Sequence, residues 1–431
     1  MIAPDRSRAP GTHATGGESS PRGTALVSVA MPGDTDAAPS DRILILGAWY
    51  AGLRCAHALG TYLDAGDAPE VLLVDHHPYH QLITELPAVA GGRTATDDVA
   101  LPLERLLKHA RVRLAQAEVE RIDLQGRQVV TARGTIGHGT LVVAVGSTTA
   151  FYGIRGLAEH ALTLKSVDDA ASIASRVDAA VRQAAQEPDG PAWASLLSML
   201  VGGGGLTGVE LAGDLAELLP RLAARYDLPA APRVTLVEAA PVLLPGLPER
   251  LQRRAASILA GLGVGMVLGS RVVSADEDGL TLAAGGFLAG RTLVWAGGLI
   301  APPLLALSGL PTARNGQVQV DDYLQPAGYP GIYVIGDAAR VRDDAHGFLN
   351  PTAQAAIGQG KSAAYNIVAR REGWPPRPYT PRDRGQVVSL GSASGVADLL
   401  VPLAGRKVAA LKALVVEAYR FEIGGKLPFI G

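Results

Sequence analysis

The chain alternates short apolar runs with longer amphipathic stretches, which is the pattern of an α/β protein. The run RILILG ends at Gly47, a helical pattern follows in AGLRCAHALGTYL, and a second apolar run, VLLVD, ends at Asp75. The same order returns at mid-chain, where LLSMLVGGGGLTGVELAGDLAELL precedes RVTLVE, which ends at Glu238. The pattern therefore predicts two units, each built as strand, turn, helix and strand.

Both turns follow the G-x-G-x-x-G spacing of a dinucleotide-binding site. The first glycine makes the tight turn, the second lets the backbone approach a pyrophosphate, and the third lets helix and strand pack closely. A lone motif is weak evidence, but the full strand, turn, helix and strand context seen twice is strong. The glycines are Gly47 and Gly52 in the first turn and Gly203, Gly205 and Gly208 in the second.

Asp75 and Glu238 end the second strand of their units, where a carboxylate can accept a hydrogen bond from a ribose hydroxyl. A carboxylate at Glu238 would repel a 2′-phosphate, and no arginine adjoins it, so we expect NADH rather than NADPH. A chain with two such units usually pairs a tightly held dinucleotide with an exchangeable one, because hydride passes between two cofactors. Flavin and nicotinamide are the natural pair.

Trp49 holds the middle position of the first turn, where the pattern calls for glycine. Tryptophan has no glycine-like access to positive φ, and its Cβ lies where backbone and pyrophosphate approach most closely. Either the backbone keeps an ordinary conformation with the indole turned away, so that FAD binds slightly displaced, or the site has lost its cofactor. The retained Asp75 and the complete second motif favour retained FAD.

Composition excludes several classes of function. Lys and Arg total 39 against 41 Asp and Glu, so we expect no nucleic-acid partner. The single cysteine, Cys55, excludes an intrachain disulfide and a dithiol redox centre, and its helical position predicts a small buried apolar residue. His76, His77 and His80 have no acidic or cysteine partner at ligand spacing, so we expect loop residues and no metal site.

Residues 1–41 are rich in small and polar residues and are expected to form a disordered tail, within which Met31 is an alternative start. No segment reaches the roughly 18 apolar residues of a membrane span. We therefore expect a cytoplasmic protein, either fully soluble or peripheral on the cytoplasmic face of the membrane.

Further segments identify the family that the chain resembles. They are VDHHPYHQL, LVVAVGS, LKSVDDA, TLVWAGG, PGIYVIGDAA and PTAQAAIGQG, and with the two turns they extend from about residue 42 to about residue 395. Together they resemble flavoproteins with two dinucleotide-binding domains, and within these the type II NADH dehydrogenases, which are single-subunit NADH:quinone oxidoreductases. The resemblance implies an α/β fold with two Rossmann-like domains, the second inserted into the first, and a small C-terminal region.

The resemblance also implies domain bounds. Residues 42–150 and 316–365 would form a discontinuous FAD-binding domain, 151–315 the NADH-binding domain, and 366–431 the C-terminal region. In that last region GRKVAALKALVVEAYRFEIGG has apolar residues at helical spacing with basic residues nearby. Such a helix can bind the membrane interface, pack onto the body of the protein or form a homodimer, and the sequence leaves these alternatives open.

Individual residues gain expected roles from the resemblance. Asp337 is expected to bind the ribityl chain of FAD. Pro351 has an N1-like place in a helix whose N-terminus would face the isoalloxazine and stabilise negative charge there. Glu210 is expected near the flavin and nicotinamide rings, where it would hold NADH or relay a proton; the alternative is a first-turn acid stabilised by the helix dipole. The other expected cofactor-binding residues are Trp49, Tyr50, Ala51, Gly146, Thr207, Gly297, Gly336 and Ala353.

The acceptor end departs from the family pattern, which has two glutamines four residues apart on one helix face. Gln354 fills the first position and is expected to face the acceptor, but residue 358 is Gly358, and the neighbouring Gln359 is rotated by about 100°. The expected reaction moves hydride from NADH to flavin N5 and two electrons to a quinone, with positioning supplying most of the acceleration.

Two alternatives remain. One is a soluble reductase with a ferredoxin-like or small-molecule acceptor, which Gly358 and Trp49 favour, and the other is a non-catalytic NADH-binding protein. Disulfide reductases and sulfide:quinone reductases are excluded, because they need a cysteine pair.

Overall fold

The computed structural model describes residues 41–63, 68–108, 110–187, 192–228, 232–343 and 347–424. Apart from residue 41, the expected N-terminal tail lies outside the described residues, as does the end of the C-terminal region.

The segment from residue 41 to 150 contains ten strands and four helices among its described residues. The strands are β1 (Ile43–Leu46), β2 (Val71–Asp75), β3 (Tyr79–Gln81), β4 (Ala100–Pro102), β5 (Arg113–Gln116), β6 (Val119–Asp123), β7 (Gln128–Thr131), β8 (Gly134–Gly137), β9 (Thr140–Val143) and β10 (Thr148–Thr149). The helices are α1 (Tyr50–Tyr62), α2 (Leu86–Ala90), α3 (Thr96–Val99) and α4 (Leu103–Leu107).

The segment from residue 151 to 315 contains the second parallel sheet, although its last helix packs against β6 and Leu305 lies in the hydrophobic cluster of the first unit. Its helices are α5 (Leu157–His160), α6 (Val167–Gln186), α7 (Trp193–Leu196), α8 (Leu206–Arg225), α9 (Glu249–Gly261) and α10 (Leu304–Leu307). Its strands are β11 (Ser198–Gly202), β12 (Arg233–Val237), β13 (Gly265–Val267), β14 (Val272–Asp276), β15 (Gly279–Leu282), β16 (Phe287–Ala289), β17 (Thr292–Trp295) and β18 (Leu299–Ile300).

The rest of the chain first returns to the first unit and then forms a small C-terminal layer. The returning elements are β19 (Val318–Gln319), β20 (Ile332–Val334), β21 (Ala339–Arg340), β22 (Arg342–Asp343), β23 (Gly347–Phe348) and α11 (Ala353–Glu372). The C-terminal layer consists of β24 (Gln386–Ser389), β25 (Gly395–Asp398), β26 (Leu403–Ala404) and α12 (Arg406–Glu422).

Two parallel sheets carry the architecture. The first has the order β20-β9-β1-β2-β5 and the second β13-β12-β11-β17. Strand β1 is apolar throughout and every residue of β1 and β2 is buried, as expected for parallel strands that are covered on both faces. Strand β20 belongs to the first sheet although it follows the second unit in sequence. The predicted fold class, α/β with two Rossmann-like units, the second inserted into the first, is confirmed.

The two connections between the units run side by side. Strand β10 leaves the first unit and β18 leaves the second, and they pair antiparallel, with Thr148 opposite Ile300. In addition, α2 packs against α6 and α8, so the first segment also contacts the second unit directly. These contacts bring the carboxyl ends of β1 and β11 towards a shared space, which is where ligands of parallel sheets bind.

The C-terminal layer packs on the second unit. Strand β25 contacts α9, and Val388, Leu390 and Val396 belong to the same hydrophobic cluster as the core of the second sheet. Helix α12 packs on β24, β25 and β26. None of the helices in the described part of the chain is long and apolar enough to cross a membrane.

Helices α1 and α11 make the most intimate helix contact of the first unit, and small residues permit it. A Cβ on Gly360 of α11 would overlap the backbone oxygen of Ala51 in α1 and lie 3.0 Å from the backbone nitrogen of Cys55. Because α1 follows the first glycine turn, this contact also fixes where that turn lies.

We expect Gly360→Ala to lower the free energy of unfolding by about 1–3 kcal/mol, because the added methyl group forces α1 and α11 apart. Urea unfolding followed by circular dichroism measures the effect. The matched control is Gly261→Ala in α9, where an added Cβ meets nothing within 4 Å, so stability should stay the same or rise slightly. Equal losses in the two variants would contradict the packing argument.

Candidate functional site

The two glycine-rich turns have the same backbone shape. Gly47 and Gly203 have φ values of +96° and +109°, which only glycine adopts readily. At the middle position, φ and ψ are −78° and −165° for Trp49 and −76° and −172° for Gly205, and each residue is the N-cap of the following helix. The middle position therefore needs no positive φ, and Trp49 keeps an ordinary extended backbone.

The third glycine of each turn is required by close packing. A Cβ on Gly52 would overlap the backbone oxygen of Gly47, and a Cβ on Gly208 would overlap that of Gly203. Gly297 serves the second turn from the opposite side, because its Cα lies 2.8 Å from the place of a Cβ on Gly203. Both turns thus retain the tight geometry that a dinucleotide-binding turn needs.

A strand-end carboxylate clamps each turn. Asp75 accepts hydrogen bonds from the backbone N–H of Ala48 (2.6 Å) and from that of the residue two positions after itself (2.8 Å). Glu238 accepts hydrogen bonds from the backbone N–H of Gly204 (2.5 Å) and from that of Ala240 (2.6 Å). Each carboxylate oxygen keeps lone pairs for a ribose hydroxyl. The predicted ribose contacts remain predictions that this geometry permits.

The space in front of the turns differs. A Cβ built on Gly205 meets nothing within 4 Å, so the second turn faces open space. In the first turn the side chain of Trp49 extends from an equivalent backbone, and its Cε3 lies 3.3 Å from the place of a Cβ on Gly146. The ammonium of Lys165 lies 5.2 Å from the centre of the indole ring, within cation–π range. The indole therefore stands between Gly146 and a lysine.

One cavity of about 830 Å³ connects the two turns. Its size is in the range of cofactor and ligand pockets, and it extends from the first turn past the second turn to α12. Glycine turns, a helix N-terminus and this cavity together fit one bound dinucleotide at each turn. The predicted site residues that line it are Trp49, Tyr50, Ala51, Gly146, Gly205, Thr207, Glu210, Gly336, Asp337, Ala353 and Gln354. Those that lie outside its lining are Gly47, Gly52, Asp75, Gly203, Gly208, Glu238 and Gly297.

Asp337 is part of a chain of hydrogen bonds that the sequence did not reveal. Ser147 Oγ donates to Asp337 Oδ2 at 2.7 Å, and Lys165 Nζ donates to Ser147 Oγ at 3.0 Å. Burial lowers the pKa of Lys165, and the negative charges of Asp337 and Asp169 partly offset this. Lys165 belongs to the family-like segment LKSVDDA, which was the available signal, but nothing in that segment alone indicates a role.

Helix α11 points its N-terminus into the cavity, as Thr352 and Ala353 both line it. The expected N1-like place of Pro351 is wrong. The N-cap is Thr352, whose hydroxyl oxygen accepts a hydrogen bond from Ala355 N at 3.2 Å, so Pro351 precedes the helix. The N-terminal dipole still favours negative charge at this end of the cavity.

The part of α11 that is expected to face the electron acceptor differs from the family pattern. Gln354 lines the cavity but bonds to the segment before β24, donating to Gly385 O at 3.3 Å. Gln359 is buried and does not line the cavity, and its Oε1 accepts from Gly336 N at 2.7 Å. At Gly358, a Cβ would lie 3.3 Å from the ring of Tyr379. The tyrosine ring fills the position next to the missing glutamine.

Glu210 binds the C-terminal layer. Its Oε1 accepts from Ser389 N at 2.8 Å, from Ser389 Oγ at 3.1 Å and from Lys412 Nζ at 2.7 Å. The alternative of a first-turn acid is wrong, because the first turn of α8 holds no acidic residue and Glu210 follows it. Sequence reasoning missed Lys412 as its partner, since the two are 202 positions apart.

Further charges surround this pair. Burial lowers the pKa of Lys412, but the carboxylates of Glu210 and Glu85 outweigh that effect, and the pKa lies above its ordinary value. Burial raises the pKa of Glu85, and Lys412 opposes this. Asp214, which is paired with Arg93 at 3.0 Å, has its pKa raised by burial to about 6. The cavity wall at α12 therefore holds a partly buried, protonated ammonium among three carboxyl groups.

Two smaller expectations have different outcomes. Cys55 is fully buried in α1, as predicted. His80 is not a loop residue, because it lies in β3 and is fully buried. Its Nδ1 donates to Ala48 O at 2.9 Å, its Nε2 lies 3.1 Å from the hydroxyl of Tyr419, and burial lowers its pKa to about 4. A neutral His80 thus links the first turn to α12.

Comparison with known proteins gives consistent matches. Residues 41–360 match the pyridine nucleotide-disulphide oxidoreductase family. The chain is 34% identical over 392 residues to the type II NADH:quinone oxidoreductase of Staphylococcus aureus (strain NCTC 8325 / PS 47), covering 89% of this chain and 96% of that protein.

Solved structures share the fold at low sequence identity. NDH2 from Plasmodium falciparum in complex with NADH superposes with a TM-score of 0.80 at 18% identity, covering 89% of this chain and 96% of that one. The sulfide:quinone oxidoreductase of Aquifex aeolicus gives a TM-score of 0.72 at 18% identity, covering 89% and 92%.

The raised pKa of Asp214 predicts a pH dependence. The native carboxyl group keeps its proton up to about pH 6, whereas an unfolded aspartate loses it near pH 4. Its contribution to stability is therefore fully present below about pH 4 and is lost as the pH rises through about 6. The free energy of unfolding of the wild type minus that of Asp214→Asn should fall by on the order of 2 kcal/mol from pH 4.5 to 7.5.

Urea unfolding across that pH range measures the difference, and Asp227→Asn, at an exposed carboxylate after α8, is the matched control. A flat difference for Asp214→Asn, or the same slope in the control, would contradict the assignment.

Proposed function

Because this chain belongs to the pyridine nucleotide-disulphide oxidoreductase family, we propose that it oxidises NADH through bound FAD and passes two electrons to a quinone. The family name refers to disulfides, but the chain has one cysteine, Cys55, and it is buried. A dithiol mechanism is therefore excluded.

The family and the general class of reaction are established. A relative at 34% identity over 89% of the chain is a type II NADH:quinone oxidoreductase, and the family is one of pyridine nucleotide enzymes. The chain is thus an NADH-dependent oxidoreductase that uses FAD and NADH, as the sequence predicted. The quinone acceptor, the hydride transfer to flavin N5 and the individual residue roles belong to our proposal.

The observation that carries the proposal is the single cavity joining both turns. Bound FAD supplies a ring that takes up a hydride and can release two electrons. The first turn, Asp337 and the N-terminus of α11 would hold it, while Gly205 and Thr207 would hold NADH on the other side of the cavity. Clamped at the second turn, Glu238 disfavours a 2′-phosphate and so selects NADH.

Lys412 and Glu210 would act at the site where the electron acceptor is reduced. Reduction of a quinone by NADH takes up one proton from solution besides the hydride. Lys412 Nζ stays protonated at the cavity wall, because Glu210 and Glu85 stabilise its charge. We therefore assign the pair the role of holding a proton near the acceptor, with Glu210 fixing the ammonium in place at 2.7 Å.

The soluble-reductase alternative keeps one supporting observation. Gly358 lacks the second acceptor glutamine, and Tyr379 stands beside the gap. An acceptor would then be recognised without the paired amides of the family pattern.

A membrane-surface role for α12 is supported by its two faces. Val408 is buried on the inner face, while Leu414 and Phe421 on the outer face are each 66% exposed. Nearby Leu400, between β25 and β26, is fully exposed. We propose that this outer face contacts the cytoplasmic side of the membrane, from which an apolar quinone can enter the cavity. The domain bounds 42–150 with 316–365, 151–315 and 366–431 and a homodimer remain predictions.

An anaerobic absorbance titration tests the proposed function. The purified protein with FAD should show a flavin spectrum that bleaches with NADH and returns when a soluble short-chain quinone is added. NADPH at the same concentration should bleach it at least about tenfold more slowly, because Glu238 meets the 2′-phosphate.

The other outcomes decide between the alternatives. Bleaching without recovery by quinone would overturn the quinone assignment and favour another acceptor. Absence of flavin binding, or flavin that NADH cannot reduce, would favour the non-catalytic protein.

The outer face of α12 yields a separate prediction. Replacing both Leu414 and Phe421 with Ser should weaken binding to phospholipid vesicles by at least about tenfold, since two large apolar side chains no longer insert. Vesicle co-sedimentation measures the partition coefficient. The matched control replaces Leu307 and Phe287, which are exposed elsewhere at 82% and 48%. Equal effects of the two double variants would argue against a specific face.

A further inference from the structure

The first turn lacks the open approach that the second turn offers. In front of Gly205 an added side chain would meet nothing within 4 Å, so a diphosphate can come close to the turn. In front of Trp49 the indole takes up that direction and rests against Gly146. A diphosphate at the first turn therefore cannot approach the backbone N–H groups as closely, and part of the usual stabilisation of its charge is lost.

The ammonium group of Lys165 lies over the indole ring of Trp49. Lys165 Nζ lies 5.2 Å from the centre of the Trp49 ring and 3.0 Å from Ser147 Oγ. The backbone of Lys165 is fixed from both sides: its N–H donates to Asp169 Oδ2 at 2.7 Å, and its carbonyl oxygen accepts from Gln81 Nε2 at 2.8 Å. The side chain thus enters the cavity from a rigid segment just before α6.

The side chain of Lys165 meets carboxylates only at longer range, because Asp337 is reached through Ser147 and Asp169 accepts from the backbone N–H of Lys165. In the described ranges of the chain its only side-chain hydrogen bond is to a hydroxyl, and it forms no ion pair within 4.0 Å. A partly desolvated ammonium that lines a cavity and touches no carboxylate directly can receive an anion from that cavity. Its position next to the altered turn points to the anionic part of the nucleotide bound there.

We propose that Lys165 binds the diphosphate of FAD and compensates for Trp49. The indole holds the ammonium over the first turn, and the ammonium supplies the positive charge that the blocked backbone of the turn cannot. Ser147 and Asp337 orient the ammonium from the other side. This inference rests on the proposed function, because it assumes that FAD occupies the first turn.

A double-mutant cycle on the full-length, deflavinated protein tests the compensation. FAD binding is measured by fluorescence quenching for the wild type, Lys165→Met, Trp49→Gly and the double variant. Lys165→Met should raise the Kd for FAD roughly ten- to hundredfold, as expected for a lost charge-assisted hydrogen bond. In the Trp49→Gly background the same substitution should cost less than about threefold, because the turn is then open to the diphosphate.

Four further measurements separate binding from folding. Lys165→Arg should restore most of the affinity, and Lys108→Met, at an exposed lysine after α4, should leave it unchanged. Riboflavin, which has no phosphate, should bind the wild type and Lys165→Met equally. The Kd for NADH at the second turn should also be equal in the two proteins.

The remaining outcomes overturn the inference. An unchanged Kd for FAD in Lys165→Met would show that the ammonium does not meet the nucleotide. An equal loss for riboflavin would place it on the ring system instead, and an equal loss in both Trp49 backgrounds would refute the compensation. A wild type that binds no FAD would refute the proposed function itself, which none of the other results would do.

Discussion

A carboxylate at the end of a strand holds each nucleotide unit in shape. Asp75 and Glu238 each accept two backbone N–H groups, one of them from the glycine turn of the neighbouring strand. Charge-assisted hydrogen bonds of this kind are strong, and a buried carboxylate without them would be costly. Because the clamp acts only on backbone groups, it does not depend on the side chain at the middle of the turn. That independence explains how Trp49 can occupy a position with the geometry of Gly205.

The second unit and the C-terminal layer depend on a buried ion pair. Glu210 and Lys412 would each be unstable alone at this depth, so the presence of one fixes the position of the other. Lys412 lies on the inner face of α12, so the pair sets how the helix lies on the body of the protein. Since the opposite face of α12 carries exposed apolar residues, the same contact determines where that face lies relative to the cavity.

Local pattern was sufficient for the elements and insufficient for the contacts between them. Strand β2 ends at Asp75, and α1 begins within one residue of its expected start, because apolar runs and glycine turns are local signals. Lys165 and Tyr379 gain their roles from residues distant in sequence, which periodicity cannot show. His80 looked like a loop residue because β3 has only three residues and α12 completes its burial. The start of α11 moved past Pro351 because Thr352 offers a capping oxygen.

The cavity lining near Gly358 and α12 combines apolar side chains with a few polar ones. The ring of Tyr379 lies beside Gly358, so a pair of amide side chains is not available there to recognise the acceptor. Leu411, Val415 and Val416 of α12 line the cavity beside Lys412, and the polar side chains of Gln354, Arg384 and Glu422 also belong to the lining. A ferredoxin-like carrier needs a polar or charged docking surface, whereas the apolar part of this wall suits the flat ring of the proposed quinone. Under the proposed function, the loss of the second glutamine leaves Gln354 as the one amide of the family pair that lines the cavity.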